Sequence, residues 1–351
     1  MAIISGSGVI SDSADGSFLD ASVETLKIGA PALETIVMQG TVAVFTSGGQ
    51  GGQPPAPNYG SDIFKFPVAA SSVTVTDTGG DLSAATYGQA GHSSNDDAFL
   101  SGGYNIPPGA ITTIGKFPFA ISGGTSSSIG NLSIASVFSS SHSSTTEGFT
   151  AGGDPHYFNP TPAVRIEKFP FGLSSGTASD IGDLTQQKRG LDGCTSTEEG
   201  FVIGGYELGP GTFYTTIDKF PFSISGGTAT DVGDLNVGKE YAFGNSSPTD
   251  GYSSGGFDGP GFEDVSDIDK FPFSISSGTA TNVGNLSETR GKGCAANSTT
   301  DAFCMGSSLG PPTNPGGIDK FPFSISSGTA TSVGTLGTST EYVGYRSGHQ
   351  D

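Results

Sequence analysis

The sequence predicts an all-β protein, a β-propeller made of one four-stranded unit repeated around an axis. Three observations carry this. A signature recurs: IDKFPFSIS at 217–225, the same Ile-Asp-Lys-Phe-Pro-Phe-Ser at 268–274 and 318–324, and looser copies at 166–172, 114–120 and 63–69. Its lysines, Lys65, Lys116, Lys168, Lys219, Lys270 and Lys320, are spaced by 51, 52, 51, 51 and 50 residues, and a fixed period near 50 marks a repeat architecture. No stretch shows sustained 3.6-residue apolar periodicity. Finally, short apolar runs sit between clusters of Gly, Ser, Asn and Asp, as strands do between turns.

The segment 236–286 defines the unit. A small-residue strand lies within 239–247. A second, 250–256, ends in a double glycine. After a loop comes the third strand, 267–275. A tight turn at 276–279 leads to the fourth, 280–286. The paired phenylalanines (Phe220 and Phe222, Phe271 and Phe273, Phe321 and Phe323) are two apart and point to one side of the strand. A single sheet cannot bury both faces, so these rings are expected between neighbouring sheets. The intervening proline lacks a ladder donor and belongs at a strand end or bulge. The first strands are rich in Gly, Ala and Ser, which suits the crowded position nearest the axis. The double glycine and the polar-aromatic third strand resemble the kelch repeat. Leu82, Leu132, Leu184, Leu235, Leu286 and Leu336 end the fourth strands, where kelch repeats usually carry Trp.

Six units follow at 33–82, 83–132, 133–184, 185–235, 236–286 and 287–336, and the chain ends suggest a seventh. Here 2–10, 17–20 and 22–28 read as its second, third and fourth strands, and 340–348 reads as its innermost. The expectation is a single seven-bladed kelch-like propeller over 1–351, its last blade shared between 1–28 and 338–351.

The net charge of −20 repels phosphate backbones and anionic membranes, so neither nucleic-acid binding nor membrane insertion is expected. MAIISGSGVI at the start has no basic region and only a short apolar run, unlike a secretory signal or a transmembrane span. The three cysteines, Cys194, Cys294 and Cys304, are too few for a disulfide framework. Cys294 and Cys304 fall in neighbouring strands of one unit, which raises a bridge between them as a question for the structure.

No catalytic constellation is present: nucleophile-elbow, HExxH and phosphate-loop patterns are missing. Ten residues after each fourth-strand terminus lies an equivalent inner-strand position, held by Met38, His92, His142, Cys194, Asn245, Ala296 and Arg346. His92, His142 and Cys194 carry donors that could meet at a metal; the alternative is a ring of locally satisfied residues. His156 and His349 read as loop and terminal residues. The repeated lysine reads as structural, its stem on the Phe platform and its ammonium near the preceding Glu167, Asp218, Asp269 or Asp319. Asp258, Glu263, Asp264 and Asp267 are oxygen donors for Ca²⁺, though in no defined loop spacing; no cofactor is otherwise implied. The loops between second and third strands diverge while the framework repeats. They carry proline for stiffness and rigid aromatics suited to contact: Tyr104, Tyr157, Phe158, Tyr206, Phe213, Tyr214, Phe257 and Phe262.

The recurring IDKFPF…TATDVGDL…GYSSGG over about 41–336 is similar to kelch-like repeat virion structural proteins of marine bacteriophages, the cyanophage type in particular. That resemblance implies a non-enzymatic virion protein, assembled in the host cytoplasm, on a tail, fibre or capsid, with other virion proteins or a host-surface glycan as partner. The rival expectation is a carbohydrate-active enzyme with its site in the axial channel.

Overall fold

A computed structural model describes residues 2–4, 10–12, 43–47, 50–51, 58–68, 72–105, 109–156, 163–259, 263–306, 316–336 and 347–350. The chain divides into two units, Met1–Val42 and Ala43–Asp351. In the first, Ala2–Ile4 pairs antiparallel with Ile10–Asp12. The stretch 2–10 therefore enters two strands that turn back on each other, not one. The expected strands at 17–20 and 22–28, and the start of the first unit at 33–42, lie outside the described residues.

The second unit is all-β and propeller-like. Among the described residues it contains six principal sheets, each with four antiparallel strands in inner-to-outer order; the first and sixth gain a short parallel strand at the outer edge, Gly124–Thr125 and Val73–Thr74. The second sheet runs Ala90–Ser93, Asp97–Ser101, Thr113–Pro118, Ser127–Asn131. The third runs Ser140–Ser143, Glu147–Ala151, Arg165–Pro170, Ser179–Asp183. The fourth runs Asp192–Thr195, Glu199–Ile203, Thr216–Pro221, Thr230–Asp234. The fifth runs Phe243–Ser246, Asp250–Ser254, Asp267–Pro272, Thr281–Asn285. The sixth runs Cys294–Asn297, Asp301–Met305, Gly317–Pro322, Thr331–Thr335. The signature proline is the last residue of each third strand, where its missing N–H costs no ladder bond.

The first sheet corrects the expected closure. Its outer three strands are Ala43–Ser47, Asp62–Pro67 and Thr76–Asp81, and its innermost is Ser347–Gln350, antiparallel to Ala43–Ser47. That C-terminal strand lies beside the inner strands of both the sixth and second sheets. Six sheets thus close the ring, and the C-terminal strand completes the first of them, not a seventh. His92 is opposite Phe99 and His349 opposite Phe45, so His349, not Arg346, takes the inner-strand position in the first sheet. Met38 and Arg346 lie outside the described residues.

The phenylalanine pairs do sit between sheets. Phe149 of the third sheet stacks on Phe222 of the fourth, centroids 4.6 Å apart, and tilts against Phe220 at 5.9 Å. Phe99 meets Phe171 at 4.5 Å, Phe201 meets Phe273 at 4.9 Å and Tyr252 meets Phe323 at 5.4 Å. The seam obeys the same rule, with Phe303 of the sixth sheet 5.7 Å from Phe66 of the first, edge to face. In four sheets the second-strand ring is covered by the sheet's own signature lysine: Lys116 is 5.4 Å from the Phe99 centroid, Lys219 6.0 Å from Phe201, Lys270 5.5 Å from Tyr252 and Lys320 5.6 Å from Phe303.

The lysine's ion-pair partner differs from the expected one. Successive strand residues point to opposite faces, so Lys270 cannot meet Asp269. It pairs across the ladder with Asp250 at 3.2 Å, as Lys116 does with Asp97, Lys168 with Glu147, Lys219 with Glu199 and Lys320 with Asp301. The preceding acid turns towards the previous sheet and meets a base from the incoming connection: Asp218 with Lys188 at 3.0 Å, Asp269 with Lys239 at 3.3 Å, Asp319 with Arg290 at 3.6 Å. These acids are fully buried, so each depends on its counter-charge.

The rim is joined as well. The turn after each third strand reaches the outer edge of the previous sheet, and Asp183 N–H donates to Gly227 O while Ala229 N–H donates to Asp183 O. The same exchange recurs at Asn131, Asp234 and Asn285. The glycine of the Val-Gly-Asp element allows this approach, since a Cβ at Gly233 would lie 2.7 Å from Gly278 O. Cys294 is opposite Met305, and Cys304 is opposite Ala295. The two thiols are out of step across the ladder, and none of the three cysteines is in a disulfide.

Ring closure predicts that Phe66 and Phe303 are energetically coupled. Each alanine substitution should destabilise by about 3–5 kcal/mol, and the double variant should fall short of additivity by about 0.5–1.5 kcal/mol. Strict additivity in denaturant unfolding would show that these sheets do not pack together.

Candidate functional site

Two kinds of connection leave the same end of the ring: those from a fourth strand to the next sheet's first, and the divergent loops between second and third strands. They are stitched together. Tyr87 bridges Tyr104, Val137 bridges Asp154, Arg189 bridges Tyr206, and Lys239–Glu240 pairs with Phe257–Asp258. The double glycine admits the neighbouring sheet: Gly103 N–H donates to Ser136 O at 2.7 Å and Gly256 N–H to Arg290 O at 2.8 Å.

Six residues after Leu82, Leu132, Leu184, Leu235 and Leu286 the backbone enters the left-handed region, at Gly88, Phe138, Gly190, Tyr241 and Lys292, with φ of 54–67°. Three of these are bulky, a conformation that such residues rarely adopt. What holds them is a chain of backbone bonds around the axis: Phe138 N–H to Gly88 O, Gly190 N–H to Phe138 O, Tyr241 N–H to Gly190 O and Lys292 N–H to Tyr241 O, at 2.8–3.1 Å. The glycines alternate with rings for a steric reason. A Cβ at Gly88 would lie 2.7 Å from the Phe138 ring, and one at Gly190 would lie 2.9 Å from Glu240 Oε2.

The result is a row of packed rings at the loop end, mostly buried, with Tyr104 and Tyr241 half-exposed. Tyr104 packs on Tyr87 (5.4 Å), Tyr87 on Phe138 (6.0 Å), Phe138 on Tyr241 (5.1 Å, edge to face) and Tyr241 on Phe257 (6.3 Å). Lys292 lies 4.2 Å over Phe257. Tyr206 and Phe213 form a separate pair at 4.7 Å, with Arg189 over Tyr206. Tyr214 donates to Glu207 at 2.5 Å, and burial with that carboxylate raises its phenol to about 12. Of the anchors expected from sequence, Tyr104, Phe213 and Tyr214 are half-buried, whereas Tyr206 and Phe257 are buried supports. Tyr157, Phe158 and Phe262 lie outside the described residues. Sequence reasoning missed Tyr87, Phe138, Tyr241 and Lys292, although the constant step from the leucines marks three of them.

At the centre of this end lies an axial well of about 130 Å³, lined among others by Gln89, Phe138, Ser139, Asp192, Tyr241 and Lys292. Asp192 Oδ1 accepts from Gly193 N–H at 2.9 Å, while its buried Oδ2 and Ser139 Oγ have no partner among the described residues. Burial pushes the Asp192 carboxyl up to about 7. Glu240 is likewise raised to about 7 by burial, against the pull of Arg189 and Lys292. The opposite mouth is wider, about 580 Å³, and lined by uncharged groups such as Ser93, Ser143, Thr195, Ser246 and Asn297.

His92, His142 and Cys194 do not converge on a metal. Each reaches sideways into the next sheet. His92 Nδ1–H donates to His142 O at 3.1 Å, His142 Nδ1–H to Cys194 O at 3.0 Å, and Cys194 Sγ lies 3.1 Å from Asn245 O. Asn245 Nδ2 continues the row to Ala296 O at 2.9 Å. The remaining imidazole nitrogens accept from Ser101 Oγ at 2.9 Å and Ser140 Oγ at 3.2 Å. Burial holds Cys194 as a thiol, its pKa well above the usual value. Among the described residues no three His, Cys, Asp or Glu side chains gather as a metal site. Of the acids considered for Ca²⁺, Asp267 is bound to Lys239 at 2.8 Å, and Asp258 and Glu263 face each other across a short ladder. Among the described residues no helix is long and apolar enough to cross a membrane.

No protein-family model matches the chain, and no curated protein matches it. Among solved structures, that of YjhT is similar at a TM-score of 0.62 and 12% identity, covering 82% of this chain and 97% of that one. At that identity the likeness concerns the fold alone.

The row of side-chain bonds predicts an acid-sensitive ring. Burial lowers His92 to about 4 and His142 to about 3. Below pH 6.5 the unfolded chain therefore binds protons that the folded chain refuses, and stability falls as pH drops through that window, by roughly 3 kcal/mol for each histidine. His142→Asn keeps a donor, as Asn245 does in the fifth sheet, and removes the titration. Its melting temperature should decline less than wild type between pH 6.5 and 4. An unchanged acid slope would rule out His142 as its source.

Proposed function

We propose that this chain is a non-enzymatic binding protein, a rigid disc whose loop end meets a host-surface glycan, and that it works as a structural component of a bacteriophage particle. The observation that carries the binding reading is the set of aromatic rings at the loop end, fixed on backbone that is hydrogen-bonded from sheet to sheet. Tyrosine and phenylalanine planes beside carboxylates and amides suit the apolar faces and hydroxyls of sugars. A preordered surface also loses little entropy when it binds. The phage assignment rests on the recurring KFPF and DVGDL elements, and the particle would place the protein among other virion proteins.

A second reading, a carbohydrate-active enzyme working in the axial channel, has one observation in its favour: a carboxyl near pH 7 in a cavity. Glycoside hydrolysis ordinarily needs a second carboxyl facing the first across the scissile bond. Among the described lining of the well, Asp192 is the sole acid. Release of reducing sugar from host polysaccharide by the purified protein would favour this reading.

Replacing the half-buried rings Tyr104, Phe213 and Tyr214 by alanine together tests the binding surface. Retention on host cell-wall glycan should drop at least tenfold, because aromatic anchors often carry about 2 kcal/mol or more each. The melting temperature should stay within a few degrees of wild type. A triple variant that folds and binds glycan like wild type would overturn the reading. Equal glycan binding with loss of incorporation into particles would assign the surface to another virion protein.

A further inference from the structure

Asp192 is the one carboxylate on the described inner strands of the ring; its structural equivalents are Ala90, Ser140, Phe243 and Cys294. It lines the axial well. One oxygen is engaged by Gly193 N–H. The other is buried and has no partner among the described residues, as does Ser139 Oγ in the same lining. Leaving such atoms unmet costs free energy that a ligand's donor would recover.

The cations nearby are committed elsewhere. Lys239 is held by Asp267 at 2.8 Å and Asp269 at 3.3 Å. Lys292 lies over Phe257 and Tyr241 and faces Glu240 and Asp264. The other titratable side chains near Asp192 are Cys194, Cys304 and the neutral His142, none of which neutralises it. The lining of the well therefore holds a carboxylate without a counter-charge of its own, a hydroxyl, and the half-buried ring of Tyr241.

We propose that the axial well binds the free amino group of an amino sugar, with the ammonium on Asp192 and the pyranose face against the half-buried ring of Tyr241. This rests on the glycan reading above and names the sugar that the centre of the loop end selects. The ammonium supplies the missing counter-charge and several donors. The Tyr241 ring supplies the apolar contact that a sugar's C–H face needs. N-acetylation removes the charge and adds bulk, so the well discriminates against acetylated sugars. Binding also follows the ionisation of Asp192: it strengthens as pH rises through about 7.

The test is calorimetric titration of the purified wild-type protein with methyl glucosaminide, methyl N-acetylglucosaminide and methyl glucoside at pH 7.5 and pH 5.5. The amino sugar should bind at least tenfold more tightly than the other two, and several-fold more weakly at pH 5.5. Asp192→Asn should abolish that preference while melting no lower than wild type, because the substitution removes an uncompensated buried charge. Equal binding of all three sugars, no binding of the amino sugar, or an Asp192→Asn protein that still prefers it would each overturn the proposal. If the amino sugar fails while glycan retention still depends on Tyr104, Phe213 and Tyr214, the well assignment falls and the broader reading stands.

Discussion

Every sheet in this ring leans on the one beside it. The Phe pair of one third strand packs on the second-strand ring of the preceding sheet, and the lysine that covers that ring is anchored across its own ladder. An inner sheet such as the fourth is apolar on both faces, giving Val202 and Phe220 to one neighbour and Phe201 and Val232 to the other, and the packing direction is the same at each described interface. Three rows of hydrogen bonds reinforce it at different radii. One runs through the inner-strand side chains, another through the left-handed backbone at the loop end, and the third through the turns at the rim. The last two depend on glycines where a Cβ would meet a neighbouring backbone or side chain. The rigidity of the loop end follows from this framework more than from the loops themselves.

Much of the framework was legible in the sequence because it repeats. The spacing of Phe271 and Phe273 told which way both rings face. Pro272 told where the third strand stops. The leucine that ends each fourth strand is buried and fixes the phase of each unit. What repetition could not reveal was closure. The strand 347–350 sits three residues later than the leucine offset implies, and nothing local to it says that its partner is Ala43–Ser47. Lys219 illustrates a different failure. Asp218 is its neighbour in sequence, but strand alternation puts the two carboxylate–lysine contacts on opposite faces, one half-exposed and one dry.

The candidate site was legible in outline only. The divergent loops pointed to the correct end of the ring. Yet Tyr206 and Phe257, chosen as contact residues, are buried supports, while Phe138 and Tyr241 escaped notice in connections that look unremarkable as sequence. Their importance comes from backbone conformation, which composition does not report. His92, His142 and Cys194 misled in the opposite sense. Three donor residues at equivalent positions suggest convergence, but in a radial array equivalent side chains can all turn the same way around the axis, each to its neighbour.

The first sheet joins residues from opposite ends of the second unit, whereas the second to sixth each draw on about fifty consecutive residues. Those five can form their internal ladders as they leave the ribosome. The first cannot gain its inner strand until 347–350 has been synthesised, and until then the edge of Ala43–Ser47 is open. The most non-local pairing in the unit therefore forms last, and loop-closure entropy makes such pairings slow. Synthesis thus passes through a stage at which five sheets are complete and one is not, and this is when a nascent chain is most exposed to strand exchange with a second copy.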